Sequence, residues 1–174
     1  VLRDIDCLKE ISKKNNVIVK FTITTASDEL SKKIEPHVCP SSKRFAAIKK
    51  LSDNGIFVGI MINPVLPFIT DSAENIRSLV RLAHESGAKF IHTYMSMTLR
   101  YNQRDYYYSK IDKEIKKRYI ETYKESYLCY PLNAKMLYRI FMEECEKCGI
   151  LYKMDDIIKA YKKEALDNTQ LSLF

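Results

Sequence analysis

The sequence predicts an α/β domain in which parallel strands carry outer helices, with a helical segment at the C-terminal end. Three observations predict it. Apolar, strand-like runs recur at 17–25, 56–62 and 89–95. A stretch of helical periodicity precedes each run. The interval from run to run is nearly constant, which suits a barrel as well as an open sheet.

Leu2, Ile5, Leu8 and Ile11 recur at helical spacing, and Asn15-Asn16 ends that helix. In the strand at 17–25, Lys20, Thr22 and Thr24 share one face, and Val19, Phe21, Ile23 and Thr25 share the other. Ser27 caps a short helix, with Asp28 and Glu29 at its positive end. The next loop runs from Glu35-Pro36 to Pro40, because each proline disfavours helix before it. Ser41 or Ser42 caps the following helix, which turns Phe45, Ile48 and Leu51 inward and stops at Asp53-Asn54-Gly55. The run at 56–62 is nearly all apolar, as expected of a strand covered on both faces. Asp71 or Ser72 caps a helix with Ile76, Leu79, Val80 and Ala83 inward, closed by Gly87. The third strand spans 89–95. Residues 97–130 read as a long polar helix with many tyrosines. Residues 131–148 read as an amphipathic helix with Leu137, Ile140, Phe141 and Cys145 on one face. Ile150-Leu151-Tyr152 reads as a short last strand, and 154–165 as a final helix.

A length of 174 residues suits one domain with a sizeable core, here residues 1–165, followed by a tail at 166–174. A composition of 46% hydrophobic and 29% charged residues excludes a disordered chain. Only 4 glycines and 5 prolines leave little room for linkers. No apolar run approaches the ~20 residues that span a bilayer. The first twenty residues carry charges throughout, unlike a signal peptide. A cytoplasmic protein with no membrane partner is therefore expected. The net charge of +7 permits an acidic partner such as nucleic acid, while lysines spread over many helical faces read as solvation. The chain opens at Val1 on a helix that already feeds a buried strand, so it reads either as a domain that starts here after processing or as a chain whose first part is missing.

The 5 cysteines are odd in number and irregular in spacing, which predicts free thiols. Cys145 and Cys148 have the spacing of half a zinc or redox site. A zinc site needs four ligands, and a redox pair sits at the start of a helix, so this pair at a helix end reads as structural. Of His37, His84 and His92, only His92 falls on a strand, where it could face a barrel centre. No Ser/His/Asp order and no glycine-rich phosphate loop is evident. Ligands of parallel α/β sheets bind at the carboxyl ends of the strands. The candidates there are the hydroxyls of Thr22 and Thr24, beside Lys20, and the guanidinium of Arg44, which suits a carboxylate. Each also has a plain reading, as β-branched filler or a surface arginine. Arg100 and Arg104 flank tyrosines that either stack bases or pack on a rim behind a helix capped by Asn102.

An ordered set of residues runs through most of the chain. It comprises Phe21-Thr22-Ile23-Thr24-Thr25, Asp28-Glu29, Ile34-Glu35-Pro36, Arg44 ahead of Ile48 and Leu51, Gly55-Ile56, Pro64-Val65-Leu66-Pro67, Asp71, Gly87-Ala88, residues 97–108 and Tyr152-Lys153-Met154. The set resembles the C-terminal half of a radical SAM protein of the spore photoproduct lyase-like branch. The resemblance implies a partial (β/α) barrel of radical SAM type. It implies a [4Fe-4S] cluster held by Cys-x-x-x-Cys-x-x-Cys, and S-adenosylmethionine on the open iron, cleaved to a 5′-deoxyadenosyl radical by a lyase-like enzyme of DNA repair. It places Thr22 and Thr24 beside S-adenosylmethionine, Arg44 at the methionine carboxylate, and Asn63 and Pro64 near the adenosine. The three-cysteine motif does not occur in this sequence, and no cysteine lies at 17–25 to serve as a hydrogen donor. This chain alone is therefore expected to be inactive, either as a fragment whose cluster-bearing N-terminal half of the barrel is missing or as a member that has lost its chemistry.

The tail ends in Gln170-Leu171-Ser172-Leu173-Phe174, after the polar spacer Asp167-Asn168-Thr169. It matches the short peptide by which bacterial repair and replication proteins bind the DNA sliding clamp. Leu171, Leu173 and Phe174 would supply apolar contacts and Gln170 a hydrogen bond at the rim. The plain alternative is an apolar end docked on its own domain. A non-catalytic, repair-associated module that binds the clamp through this tail is the alternative to the enzyme. A small-molecule enzyme using His92 and Arg44 is a third.

Overall fold

The computed structural model describes residues 1–162, and the 166–174 tail lies outside them. A 3-10 turn at Leu2–Asp4 leads into α1 (Ile5–Lys14), then β1 (Val19–Thr22), α2 (Asp28–Ile34) and α3 (Ser41–Asp53). β2 (Val58–Met61), α4 (Ala73–Glu85) and β3 (Phe90–His92) follow. β1, β2 and β3 pair in parallel in that order, with Phe21 opposite Ile60 and Ile60 opposite Ile91. Leu151 extends the sheet by a single parallel bridge to Phe90.

The helix starts follow local chemistry. Ser27 accepts from the Leu30 N–H at the head of α2, and Ser72 accepts from the Asn75 N–H at the head of α4. α3 departs from expectation. Its N-cap is Pro40, and the first-turn N–H of Ser42 is satisfied by the Asp28 carboxylate. That contact and the Ser42 hydroxyl hold the Asp28 carboxyl below its ordinary value. Ser41 donates its hydroxyl to the Thr25 carbonyl at 2.7 Å.

The main core lies on one face of the sheet. Val58, Ile60 and Ile91 meet Phe45, Ile48 and Leu51 of α3 and Ile76, Leu79 and Val80 of α4 there. Leu137, Phe141 and Cys145 join them from α7 (Ala134–Cys148), an amphipathic helix closed by left-handed Gly149. Burial pushes the Cys145 thiol up to about 12, in line with a structural cysteine.

The expected barrel is overturned. The described residues form an open three-stranded sheet and a separate two-stranded ribbon, and helices hold most of the chain. A regular strand interval favours parallel pairing, but closure needs enough tilted strands to join two sheet edges. Three strands of three or four residues leave β1 as an edge. The two-sided cover expected for 56–62 holds over most of the run, where Gly59 is buried under Phe90, and thins at its carboxyl end. Val58 and Ile60 face the core, whereas Met61 is half-buried on the opposite face.

The single long helix expected over 97–130 is two helices and a ribbon. β4 (Met97–Thr98) pairs antiparallel with β5 (Leu128–Cys129), enclosing α5 (Tyr101–Lys110) and α6 (Lys113–Tyr123). The fold-back builds a second apolar cluster around Tyr119, with Leu66, Met97, Leu99 and Cys129. Tyr119 is fully buried, its hydroxyl donating to the Pro67 carbonyl at 3.0 Å. The Tyr107 hydroxyl donates to Tyr119 at 3.1 Å, and burial pushes its own pKa up to about 12. α8 (Met154–Tyr161) closes the described chain, and residues 163–165 of the expected final helix lie outside the described residues.

Gly59 marks the tightest point of the sheet. A Cβ there would lie 2.6 Å from ring carbons of Phe90 and would also strike the Phe90 carbonyl. Gly59→Ala is expected to lower the unfolding free energy by about 2–3 kcal/mol. Gly55 has φ +75 and nothing within 4 Å of a Cβ. Gly55→Ala should therefore cost only the backbone strain, about 1 kcal/mol. Urea denaturation reads both, and equal midpoints would show that Phe90 moves aside freely.

Candidate functional site at the carboxyl end of the sheet

A parallel sheet with its helical core on one face leaves the other face to be explained. The register places Lys20, Gly59 and Phe90 in one row across that second face, and Thr22, Met61 and His92 in the next. Phe90 is buried, stacked on Phe57 at 5.4 Å, and Tyr161 of α8 packs against Phe57. Toward the carboxyl end the cover stops. Lys20 and Thr22 are exposed, and Met61 and His92 are half-buried. Burial, and then the Lys20 charge, hold the His92 pKa below its ordinary value, so its imidazole is neutral at pH 7.

The loops that rim this face are held by side chains on backbone groups. Arg44 donates from Nε to the Cys39 carbonyl at 2.6 Å and from Nη1 to the Thr22 carbonyl at 2.7 Å, and pairs through Nη2 with Glu35. Thr93 donates to the Ile62 carbonyl at 2.9 Å. Asn63 Oδ1 accepts from the Tyr94 N–H at 3.0 Å, and its peptide bond to Pro64 is cis.

The expected site residues do not share one role. Thr22 presents its side chain on the open face. Thr24 is 4% exposed in the turn beyond β1, so the two hydroxyls expected on one face part company where the strand ends. The Arg44 side chain is 10% exposed and faces protein acceptors. Asn63 is half-buried on Tyr94, and Pro64 is exposed. Arg104, weighed for base stacking, instead braces the turn after α6, bonding to the Lys124 and Ser126 carbonyls and to Glu125. Gln170, Leu171, Leu173 and Phe174 lie outside the described residues.

Sequence reasoning missed two features. The first is Met61 and His92 as lateral neighbours of Thr22, which only the register reveals. The second is an open groove of about 760 Å³ beyond β3 and at the head of α7, lined by Tyr94, Tyr130, Leu132, Tyr138, Lys135 and Arg139. Tyr94 is 69% exposed, while its backbone is pinned by Asn63. The backbone of Tyr130 is likewise held, its carbonyl accepting from the Tyr123 hydroxyl. The cluster of aromatic and basic residues after 130 was the available signal.

Among the described residues, no three His, Cys, Asp or Glu side chains come together as a metal site. No helix there is long and apolar enough to cross a membrane.

No family model matches the chain, and no solved structure matches it. A protein of Mycobacterium tuberculosis, described as uncharacterized, is 26% identical over 138 residues, covering 78% of this chain and 40% of the relative. An uncharacterized protein of Acidianus two-tailed virus is 25% identical over 146 residues, covering 79% of this chain and 48% of the relative. An uncharacterized protein of Methanocaldococcus jannaschii is 38% identical over 71 residues, covering 41% of this chain and 26% of the relative. The chain spans less than half the length of these relatives.

Arg44→Ala is expected to destabilise the chain by about 2–3 kcal/mol, because it leaves the half-buried Glu35 carboxylate unpaired and releases two carbonyls. Glu35→Gln should cost less, since an amide oxygen still accepts from the guanidinium. Chemical denaturation measures both. A cost for Arg44→Ala below about 1 kcal/mol, the worth of a surface pair, would show that the guanidinium does not hold the turn.

Proposed function

We propose that this chain is the C-terminal portion of a radical SAM enzyme of the spore photoproduct lyase-like branch, cytoplasmic, with S-adenosylmethionine bound on the open face of the sheet. The observation that carries the proposal is a parallel sheet whose second face is covered at the amino end and opens at the carboxyl end. It leaves Thr22 exposed and Met61 and His92 half-buried at the strand ends, the usual ligand position of such sheets, with exposed Lys20 one row behind. Thr22 offers a hydroxyl and Lys20 a cation to the amino-acid end of the ligand. Met61 offers a thioether surface, and neutral His92 a hydrogen-bond acceptor. Arg44 serves by fixing the Thr22 carbonyl, and Asn63 and Pro64 by shaping the next strand end. Thr24 lies under the rim.

The [4Fe-4S] cluster of that family does not fit these residues. A cluster needs several thiolates converging at one point. The described cysteines are Cys7, Cys39, Cys129, Cys145 and Cys148, with Cys129 and Cys145 buried in different clusters. No step through a cluster is assigned to this chain. The greater length of the curated relatives supports a reading in which other residues of a longer protein supply it.

The groove supports a nucleic-acid partner in DNA repair. Exposed tyrosine rings on fixed backbones suit base stacking, and Lys135 and Arg139 suit phosphates. A second reading rests on the pentapeptide 170–174, which supports a module docking on the bacterial sliding clamp.

S-adenosylmethionine titrated into the isotope-labelled chain is expected to shift the amides of 22–25, 61–63 and 92–94. Thr22→Val and Lys20→Ala should each weaken the effect about tenfold, as for loss of one hydrogen bond to a charged group. Shifts confined to other segments, or unchanged binding by both variants, would overturn the placement.

For the tail, the chain should be captured by immobilised clamp, and the Leu173→Ala/Phe174→Ala double variant should not. Equal capture of the two would remove the second reading.

A further inference from the structure

Asn75 sits in the first turn of α4, and its side chain reaches back to two loops, one just before the helix and one about fifty residues upstream. Its Nδ2 donates to the Thr24 carbonyl at 3.0 Å and to the Thr70 carbonyl at 2.9 Å. Its Oδ1 accepts from the Ala26 N–H at 2.9 Å. Two carbonyls on one side and an N–H on the other admit the amide in only one orientation. The partners are both strand-end segments: the turn after β1, and the loop after β2, whose Thr70 hydroxyl in turn accepts from the Leu66 N–H at 2.8 Å. On its other side the β1 turn is held by Ser41 on the Thr25 carbonyl and Arg44 on the Thr22 carbonyl. The turn is therefore gripped from α3 and from α4, and only the α4 grip also reaches the loop after β2.

We propose that Asn75 is the positioning residue of the strand-end site: through three backbone hydrogen bonds it sets the 22–26 turn and the 66–70 loop relative to one another, and ligand affinity on the open face depends on it although it touches no ligand. The affinity part rests on the reading that S-adenosylmethionine binds there. The chemistry requires an asparagine. Aspartate keeps the acceptor for Ala26 but sets a carboxylate against the Thr24 and Thr70 carbonyls, and alanine removes all three bonds.

The test compares the chain with Asn75→Asp, Asn75→Ala and Gly55→Ala. The last substitution strains the opposite end of the sheet and serves as a control for loss of stability alone. Melting temperature, amide hydrogen exchange and S-adenosylmethionine titration are measured on each. Asn75→Asp is expected to weaken binding tenfold or more and to speed exchange in 22–26 and 66–70 together, while Gly55→Ala lowers the melting temperature and leaves both unchanged. Parent-level affinity in Asn75→Asp, or faster exchange confined to α4, would overturn the proposal. If the unsubstituted chain binds no S-adenosylmethionine, the ligand reading fails separately. The exchange data then decide the positioning claim: joint loosening of the two segments upholds it, and its absence overturns it.

Discussion

The Arg44 guanidinium is the interaction on which the carboxyl end of the sheet rests. A charge this deeply buried persists only if its hydrogen bonds and its countercharge are supplied together. The Thr22 and Cys39 carbonyls and the Glu35 carboxylate supply them. The choice of the Thr22 carbonyl has a geometric cause. In β1 the N–H groups of Val19 and Ile23 bond to carbonyls at 57 and 61. The alternate residues, Lys20 and Thr22, therefore aim their backbone groups at the free edge. Arg44 stops that edge where the strand ends, joining β1, the loop after α2 and the start of α3.

With the edge stopped, the sheet divides the molecule by face. α3, α4 and α7 cover the face carrying Val58, Ile60 and Ile91, and the buried apolar surface there is the main driving force for the fold. The second face is treated differently along its length. At the amino end, Phe57 and Phe90 stack over the bare Cα of Gly59 and seal it. At the carboxyl end, Thr22, Met61 and His92 replace aromatic cover with small, polar or flexible side chains. The same face is thus core at one end and open at the other.

How much of this was legible varies with the range of the interaction. Periodicity marked Ile48, Leu51, Ile76, Leu79, Val80, Leu137 and Phe141 as inward, because a helix repeats its buried face within a few residues. It could not end β1. Ile23 continues the alternation and is fully buried, yet the paired strand stops at Thr22. It also could not separate two helices and a ribbon from one helix over 97–130, since two-residue strands carry no period. Barrel closure was illegible for a similar reason: interval and alternation describe neighbours along the chain, whereas closure is a relation between edges. Arg44 was found, but its role was not, because its partners lie 9 and 22 residues away. Asn75 gave no signal at all; a polar residue in a first helical turn looks like solvent-facing surface until Thr24 and Ala26 arrive from 51 and 49 residues upstream.

That difference in range also decides which cation near the carboxyl end of this sheet stays open to solvent. A guanidinium enclosed by a carboxylate and two carbonyls has most of its field cancelled at short distance, and removing it from them would leave Glu35 uncompensated. Lys20 stands exposed on the open face, and its charge reaches His92, whose pKa it lowers after burial has done so. The charge that still acts on its surroundings is the one a carboxylate arriving from solvent would meet. The sequence offered Arg44 as the more specific residue for a carboxylate, by virtue of its planar fork. In the folded chain that fork is committed to the backbone and Glu35, and the plainer point charge of Lys20 faces solvent.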